Sequence, residues 1–432
     1  MKNSLIFLGI LFSLVMATGI AANSENRSRV KQPSLRNDAE YVPGEIFVKF
    51  KPGVNSERTA AFNSHPGTSV VSTSRFAMFK RLKVPPGKTV SQMVAIYSRN
   101  PNVEFAEPNF LAHAFMVPDD PCYGPYQWHL KGIHMEEAWD ISTGGSDVVV
   151  AVHDTGVAYA IQIGGIPLNL RKTKTVFYDQ APDLAGTLFA AGYEFVNVDP
   201  YPKDDKGHGT HVAGAIAQSN NNDLGVAGAA FGCSIMPIKV LNGSGSWTYS
   251  DIADGIYFAA GNGADVINMS LHGRAGSITL ENALVPAYGK YVAIVYASGS
   301  DGFPDAISYP APYNAYCIAV GAKRYDEAIA DYSNRSVSLA LTAPGGDVNV
   351  DQNSDGYGDG VLQQTHDGAY YTAFVYYFYK GTSMTTPHAT GVAALLVASD
   401  AATIPAEIRP VLQSIVSYGW SLLTKAFSES TS

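Results

Sequence analysis

Three segments of this 432-residue chain carry residue types suited to nucleophilic hydrolysis. Asp154 follows an unbroken apolar run in VAVHDTGV, His208 lies in GHGTHVAG, and Ser383 lies in GTSMTTPHATG. A hydroxyl is a weak nucleophile at neutral pH, so it needs an adjacent base, and the base needs a third group to fix its tautomer. Asp, His and Ser are those three types, and Asp–His–Ser is one of the chain orders in which such triads occur. Taken singly, each has a plainer reading: an Asp that caps a strand end, a structural imidazole, a Ser that caps a helix. Their surroundings argue otherwise. Gly207 and Gly209 flank His208 and permit close backbone approach. Gly381 precedes a Thr-Ser-Met turn, and a helical run over 389–398 follows Pro387. That places Ser383 near a helix N-terminus, where the dipole favours developing negative charge. His208 must be neutral to act as base, so the rate is expected to fall below roughly pH 6 to 7. His208 and His211 also form an HxxH pair, but a catalytic zinc site needs a third ligand and usually a Glu base, and HExxH is absent.

The segments around Asp154, His208 and Ser383 resemble the three signature blocks of the subtilisin-like serine peptidases. The resemblance runs over about residues 44–415, and its Ser and His blocks are long and specific. It implies a secreted endopeptidase acting on protein or peptide substrates through an acyl-enzyme. Asp154 would orient His208, and His208 would take the proton of Ser383. Two positions depart from the family pattern. The family places an Asn side chain in the oxyanion hole, where this chain has Ser300, leaving the backbone N–H of Ser383 as the other expected donor. The family's substrate-binding strand reads Ser-Leu-Gly-Gly, whereas this one reads Ser270-Leu271-His272-Gly273. Ser298 and Gly299 are assigned to substrate binding with Ser270, Leu271 and His272. Two classes of function therefore stand: an active serine endopeptidase, or a weakened or inactive homologue that binds peptides. The intact triad favours the first.

The pattern of elements fits this reading. Strand-like runs at 45–50, 69–74, 79–84 and 103–106 alternate with helices at 56–64 and from about 89, giving the β-α-β-β-α-β order of a ferredoxin-like unit. Beyond His113, continuous apolar runs at 148–152, 235–241, 266–269, 292–296 and 318–320 suit strands buried on both faces. Helical stretches between them predict a parallel α/β sheet, with the chemistry beyond the carboxyl ends of its strands. The fold class expected is thus an α/β parallel-sheet peptidase domain preceded by a small ferredoxin-like α+β propeptide. The expected divisions are a signal peptide at 1–22, a polar linker at 23–40, an inhibitory propeptide at 41–114, the peptidase domain at 115–418 and a tail at 419–432. The resemblance implies self-cleavage between about Ala112 and Val117. Residues 159–178 look like an insertion, with basic residues at Arg171, Lys172 and Lys174. Pro286 interrupts a stretch that is otherwise helical.

Lys2, an apolar run over 5–16 and small residues at Ala17, Gly19, Ala21 and Ala22 give the layout of a cleavable export signal. Secretion to the extracellular space or a periplasm follows, with no stable membrane association. A formal charge of -9 offers nothing to attract nucleic acid. A monomer is expected. Cys122, Cys233 and Cys317 cannot all pair within one chain, so one bridge or free thiols are both open.

Two loops suit structural Ca²⁺. Asp120 and Asp183 match the family's carboxylate ligands, with Ser219, Leu224 and Val226 giving carbonyls and Asn222 its side chain. In DQNSDGYGDG, Asp351, Asn353, Asp355 and Asp359 follow the first half of an EF-hand loop, with Gly356 sixth. Position twelve is Leu362, so another group, with Asp347 the candidate, has to replace the missing Glu.

Overall fold

The computed structural model describes residues 41–111, 116–169, 172–245 and 248–418. The signal, linker and tail expected at 1–22, 23–40 and 419–432, and residues 112–115 of the expected cleavage region, lie outside these. The chain divides into two compact units, Met1–Ala112 and His113–Ser432.

The first unit runs β1 (Tyr41–Phe50), α1 (Ser56–Ser64), β2 (Ser69–Thr73), β3 (Lys80–Lys83), α2 (Val90–Ser98) and β4 (Val103–Phe110). Its sheet has the order β2-β3-β1-β4 with antiparallel pairs, as the ferredoxin-like expectation requires. α2 starts at a full capping box, in which Thr89 and Gln92 satisfy each other's backbone N–H. Its apolar stripe sets Val90, Met93 and Tyr97 against Ile46, Val48, Leu82 and Val103.

The second unit opens with short helices α3 (Tyr123–Tyr126), α4 (Trp128–Lys131) and α5 (Met135–Trp139). There follow β5 (Val149–Asp154), the hairpin β6 (Gln162–Asn169) and β7 (Lys172–Tyr178), and the two-residue strands β8 (Leu188–Phe189) and β9 (Tyr193–Glu194). Next come α6 (His208–Ala217), β10 (Ser234–Lys239), α7 (Tyr249–Gly261), β11 (Val266–Met269), α8 (Ile278–Gly289) and β12 (Ala293–Ala297). The chain continues with β13 (Cys317–Lys323), β14 (Leu341–Pro344), the hairpin β15 (Val361–Thr365) and β16 (Val375–Tyr379), α9 (Thr382–Ala398) and α10 (Pro405–Tyr418). The main sheet has the order β14-β13-β12-β11-β5-β10-β8, with β9 also on β10, and every pair is parallel.

Both faces of that sheet are covered, which is why its strands read as unbroken apolar runs. Val150, Val152, Val266 and Val295 pack with Val212 and Ile216 of α6, Leu395 of α9 and Ile408 of α10. Ala151, Ile267, Ile294 and Tyr296 pack on the other face with Ile252 and Ile256 of α7 and Leu280 and Leu284 of α8. The insertion is the β6–β7 hairpin, and at its base Tyr178 stacks on Tyr371 at 4.8 Å, tying it to the loop between β15 and β16. Pro286 is tolerated within α8 because the carbonyl it leaves without a helical donor, that of Asn282, accepts from the Tyr257 hydroxyl at 2.9 Å. All three cysteines are free. Among the described residues no helix is long and apolar enough to cross a membrane.

Candidate active site

The three sequence-predicted triad residues stand at the ends of elements on the carboxyl side of the sheet. Asp154 is the last residue of β5 and is fully buried. His208 is the first residue of α6, and Gly209 lets that helix approach. A Cβ on Gly209 would lie 2.1 Å from the carbonyl oxygen of Gly156 and 3.0 Å from Cβ of Asp154. The outcome is a 2.7 Å hydrogen bond from His208 Nδ1 to Asp154 Oδ1, which also accepts from the Thr155 N–H at 2.8 Å. That bond fixes the tautomer with Nε2 free to accept a proton. Burial works against a charged His208 ring, but the Asp154 carboxylate beside it prevails and raises its pKa above 6.5.

Asp204, which the sequence reading missed, clamps this half of the site. Its Oδ1 accepts from the Thr155 hydroxyl and the Lys206 and Gly207 amides, and its Oδ2 from the amide and hydroxyl of Thr210. Thr155 in turn accepts from the Gly209 amide at 2.9 Å. One fully enclosed carboxylate thus binds the residue after Asp154 to the first turn of α6. Burial alone would raise the pKa of Asp204; the nearby His366 and these donors hold it below the usual carboxylate value. The signal was an Asp four residues before His208, a spacing that also describes any turn ahead of a helix. His211 does not pair with His208 as a ligand. Its Nε2 lies 3.1 Å from the carbonyls of Val361 and Tyr377, its ring stacks on Tyr379 at 4.3 Å, and burial depresses its pKa to about 3.

At the other half, α9 begins at Thr382, seven residues earlier than the expected run, so Pro387 lies inside the helix. Ser383 is therefore in the first turn, where backbone N–H groups have no helical partner. Pro387 has no N–H to give the carbonyl four residues back, that of Ser383. This carbonyl instead accepts from the Ser270 hydroxyl at 2.7 Å, while the Ser383 hydroxyl donates to the Ser270 carbonyl at 3.1 Å. Ser270 is steadied by Asn268 Nδ2 at 3.1 Å, and Asn268 by Thr390 of α9 at 2.9 Å. Leu271 is buried, His272 half-buried, and Ser298 buried with its hydroxyl donating to the Asn334 carbonyl at 3.2 Å.

Ser300 is turned toward the start of α9. Its Oγ accepts from the Thr382 N–H at 3.0 Å and lies 3.1 Å from Thr382 Oγ1, which accepts from the Gly299 N–H at 3.2 Å. The hydroxyl expected to face the oxyanion is thus paired with a second hydroxyl, and one hydrogen joins them while the other remains to donate.

The first calcium candidate does converge. Asp183 accepts from Asn222 Nδ2 at 2.9 Å and from the Val226 N–H at 3.1 Å, and Ser219 N–H donates to the Asp183 carbonyl at 3.2 Å. Asp120 accepts from the Asn221 N–H at 3.0 Å, while its Oδ1 is buried without a partner. Burial raises the pKa of both carboxyls, and the Asp120 charge adds to that of Asp183, so a cation at this place would relieve both. Asn222 Oδ1, the expected side-chain ligand atom, accepts from the Leu224 N–H at 2.9 Å.

In the second loop, Asp351 accepts from the amides of Asp355 and Gly356, Asn353 from that of Asp355, and Asp355 from that of Tyr357. Asp359 is buried, with Oδ2 on the Gln352 N–H at 2.6 Å and Oδ1 without a partner. The Asp347 carboxylate pairs with Lys380 Nζ at 2.8 Å. Among the described residues no three His, Cys, Asp or Glu side chains form a metal cluster, so either site has to draw on carbonyl and amide oxygens, as Ca²⁺ sites do.

Comparison with known proteins decides the family. Residues 145–419 match the subtilase family. This chain is a subtilase. Residues 28–109 match the fervidolysin N-terminal prodomain, so the subtilase domain is preceded by a prodomain. The chain is 36% identical to a thermophilic serine proteinase of Bacillus sp., over 86% of this chain and 82% of the relative. It is 30% identical to subtilisin E of Bacillus subtilis, over 97% of this chain and 95% of that one. Among solved structures, one of proteases from Pseudoalteromonas arctica PAMC 21717 matches with a TM-score of 0.59 and 32% identity, covering 69% of this chain and 92% of that chain. The subtilase is therefore a serine endopeptidase with the α/β parallel sheet expected of it.

Proposed function

We propose that this subtilase is exported as a precursor, cuts off its own prodomain, and hydrolyses peptide bonds through Asp154, His208 and Ser383. The observation that carries the proposal is the 2.7 Å bond from His208 Nδ1 to the buried Asp154, with Ser383 in the first turn of α9. His208 Nε2 takes the Ser383 proton as Oγ attacks the scissile carbonyl, and Asp154 stabilises the imidazolium that forms. The Ser383 N–H and the hydrogen left over by the Ser300–Thr382 hydroxyl pair would stabilise the negative charge that develops on the carbonyl oxygen. His208 then passes the proton to the leaving amine, and water releases the acyl group. The Ser383 hydroxyl donates to the Ser270 carbonyl at 3.1 Å, so it has to turn toward His208 before its proton can be taken.

The prodomain, residues 41–114, would assist folding and inhibit the enzyme until cut between Ala112 and Val117, leaving the peptidase domain, residues 115–418, in a mature monomer. Asp120 and Asp183, with Asn222 and the carbonyls of Ser219, Leu224 and Val226, would hold one Ca²⁺. Asp351, Asn353, Asp355 and Asp359 would hold another. Bound Ca²⁺ supplies positive charge to loops rich in carboxylates, and no step of the reaction passes through it.

The test is the intact mass of the secreted product beside a Ser383→Ala control. The normal chain is expected to lose its prodomain and the control to keep it. If both remain full length and folded, Ser383 is not a working nucleophile and the peptide-binding homologue becomes the better reading.

A further inference from the structure

The run IMPIKVL, residues 235–241, is apolar but for Lys239. This residue ends β10, in parallel register with Asp154 at the end of β5. Ile235 packs on the α6 face of the sheet, so alternation along the strand puts Lys239 on that face too. Its side chain is only 1% exposed. An ammonium so enclosed is costly unless it is paired and hydrogen-bonded. Lys239 Nζ donates to the Thr155 carbonyl at 2.5 Å and to Asp205 Oδ1 at 2.6 Å.

These two partners belong to the two members of the Asp–His pair. Thr155 follows Asp154 in the chain, and Asp205 lies in the turn that leads into His208. The residues after Lys239 strengthen the first tie, since the N–H groups of Val240 and Leu241 donate to the Asp154 carbonyl at 3.0 and 3.1 Å. Thr155 is thus held twice, its hydroxyl by Asp204 and its carbonyl by Lys239. Burial raises the pKa of Asp205, and the Lys239 charge beside it opposes that rise. A buried ion pair is weak evidence of stability, because apolar residues of similar volume hold a core as well. What it supplies here is a fixed distance between two segments that each carry one member of the Asp–His pair.

We infer that Lys239 is a positioning residue, which sets the separation of Asp154 from His208 by holding Thr155 and Asp205 on one ammonium. It acts through those two residues and not on the reacting atoms. Its effect on rate rests on the peptidase reading above. Without the ammonium the Thr155 carbonyl loses its donor, the end of β5 is free to shift against the start of α6, and the 2.7 Å bond from His208 to Asp154 loosens.

Two variants test this. Lys239→Met/Asp205→Asn removes the ammonium and its counter-charge together, so net charge is kept, and Asp154, Asp204 and Lys206, which act on the His208 ring, are untouched. In the processed enzyme, kcat is expected to fall roughly ten- to a hundredfold with KM within about twofold of the parent. In the Ser383→Ala precursor, NMR titration of His208 is expected to show a midpoint lower by about half a pH unit, because the Asp154 carboxylate that raises it has moved off. A purely structural Lys239 would lower Tm and move neither. Asp205→Asn alone leaves the ammonium on Thr155 and is expected to keep kcat within about twofold and the midpoint in place. A folded double variant with the parent's kcat and midpoint overturns the inference. So does a loss of both in Asp205→Asn, which would make Lys239 a counter-charge only, and this second result decides if the double variant does not fold. The titration needs no turnover, so an unaltered enzyme that cuts no peptide overturns the peptidase reading while the midpoint still decides the role of Lys239.

Discussion

The two halves of the active site are held in opposite ways. On the base side, a fully enclosed Asp204 gathers five donors and locks Thr155 to the first turn of α6, so that Asp154 and His208 have one geometry available. On the nucleophile side, hydroxyls do the holding: Ser270, Ser300, Thr382 and Ser383 share short-range bonds that an O–H rotation can exchange. Charge-assisted bonds to a buried carboxylate are stronger than neutral hydroxyl pairs, so His208 is held more firmly than Ser383. The hydroxyl side is left adjustable, and it is the side where this chain departs from its family.

Substitutions on the two sides should therefore differ in size and in signature. The largest loss is expected from Asp154→Asn. It keeps the shape but removes the charge that fixes the His208 tautomer, at a cost of roughly 10⁴ in kcat. The pH profile supplies the signature. His208 has a raised pKa in the folded enzyme, so activity is lost as pH falls through a midpoint above 6.5. Removing the carboxylate charge should move that midpoint to lower pH, and a midpoint that stays put would mean another group sets it.

A smaller effect, and of opposite sign, is expected on the hydroxyl side. Ser300→Asn offers a longer amide donor and should raise kcat, with the roughly 10²–10³ worth of one oxyanion donor in a subtilisin as its ceiling. An unchanged kcat would mean that the Ser300–Thr382 pair already completes the hole. The smallest effect on turnover is expected from the two loops proposed to hold Ca²⁺. Chelation is expected to lower Tm by about 5–10 °C and to leave kcat at 25 °C nearly unchanged. In Asp183→Asn the drop on chelation should shrink, and an identical drop would place the Ca²⁺ elsewhere.

How much of this was readable beforehand follows the range of the contacts. Strands buried on both faces announce themselves as apolar runs, so β5, β10, β11, β12 and β13 were legible to within a few residues. Asp154, His208 and Ser383 were legible because each sits in a long local motif. Asn268 and Thr390 were not, because they meet across 122 residues of chain; nor was Asp204, whose nearby partners Lys206, Gly207 and Thr210 make it read as an ordinary turn ahead of a helix. The early start of α9 was hidden by Pro387, which locally reads as a helix boundary. The ion pair of Asp347 with Lys380 was not legible, because Lys380 comes to it through the pairing of β15 with β16.

Because Pro387 brings no amide hydrogen, the Ser383 carbonyl is directed to Ser270, in the segment proposed to receive substrate. An amide at that position would compete for the same oxygen from inside the helix and slacken that segment. Selectivity and reactivity are in this way inherited as one trait: a change that reshapes the segment for a new diet of peptides pulls on the attacking group as well. A lineage that shifts its preference through Ser270 has to retune its chemistry in the same step.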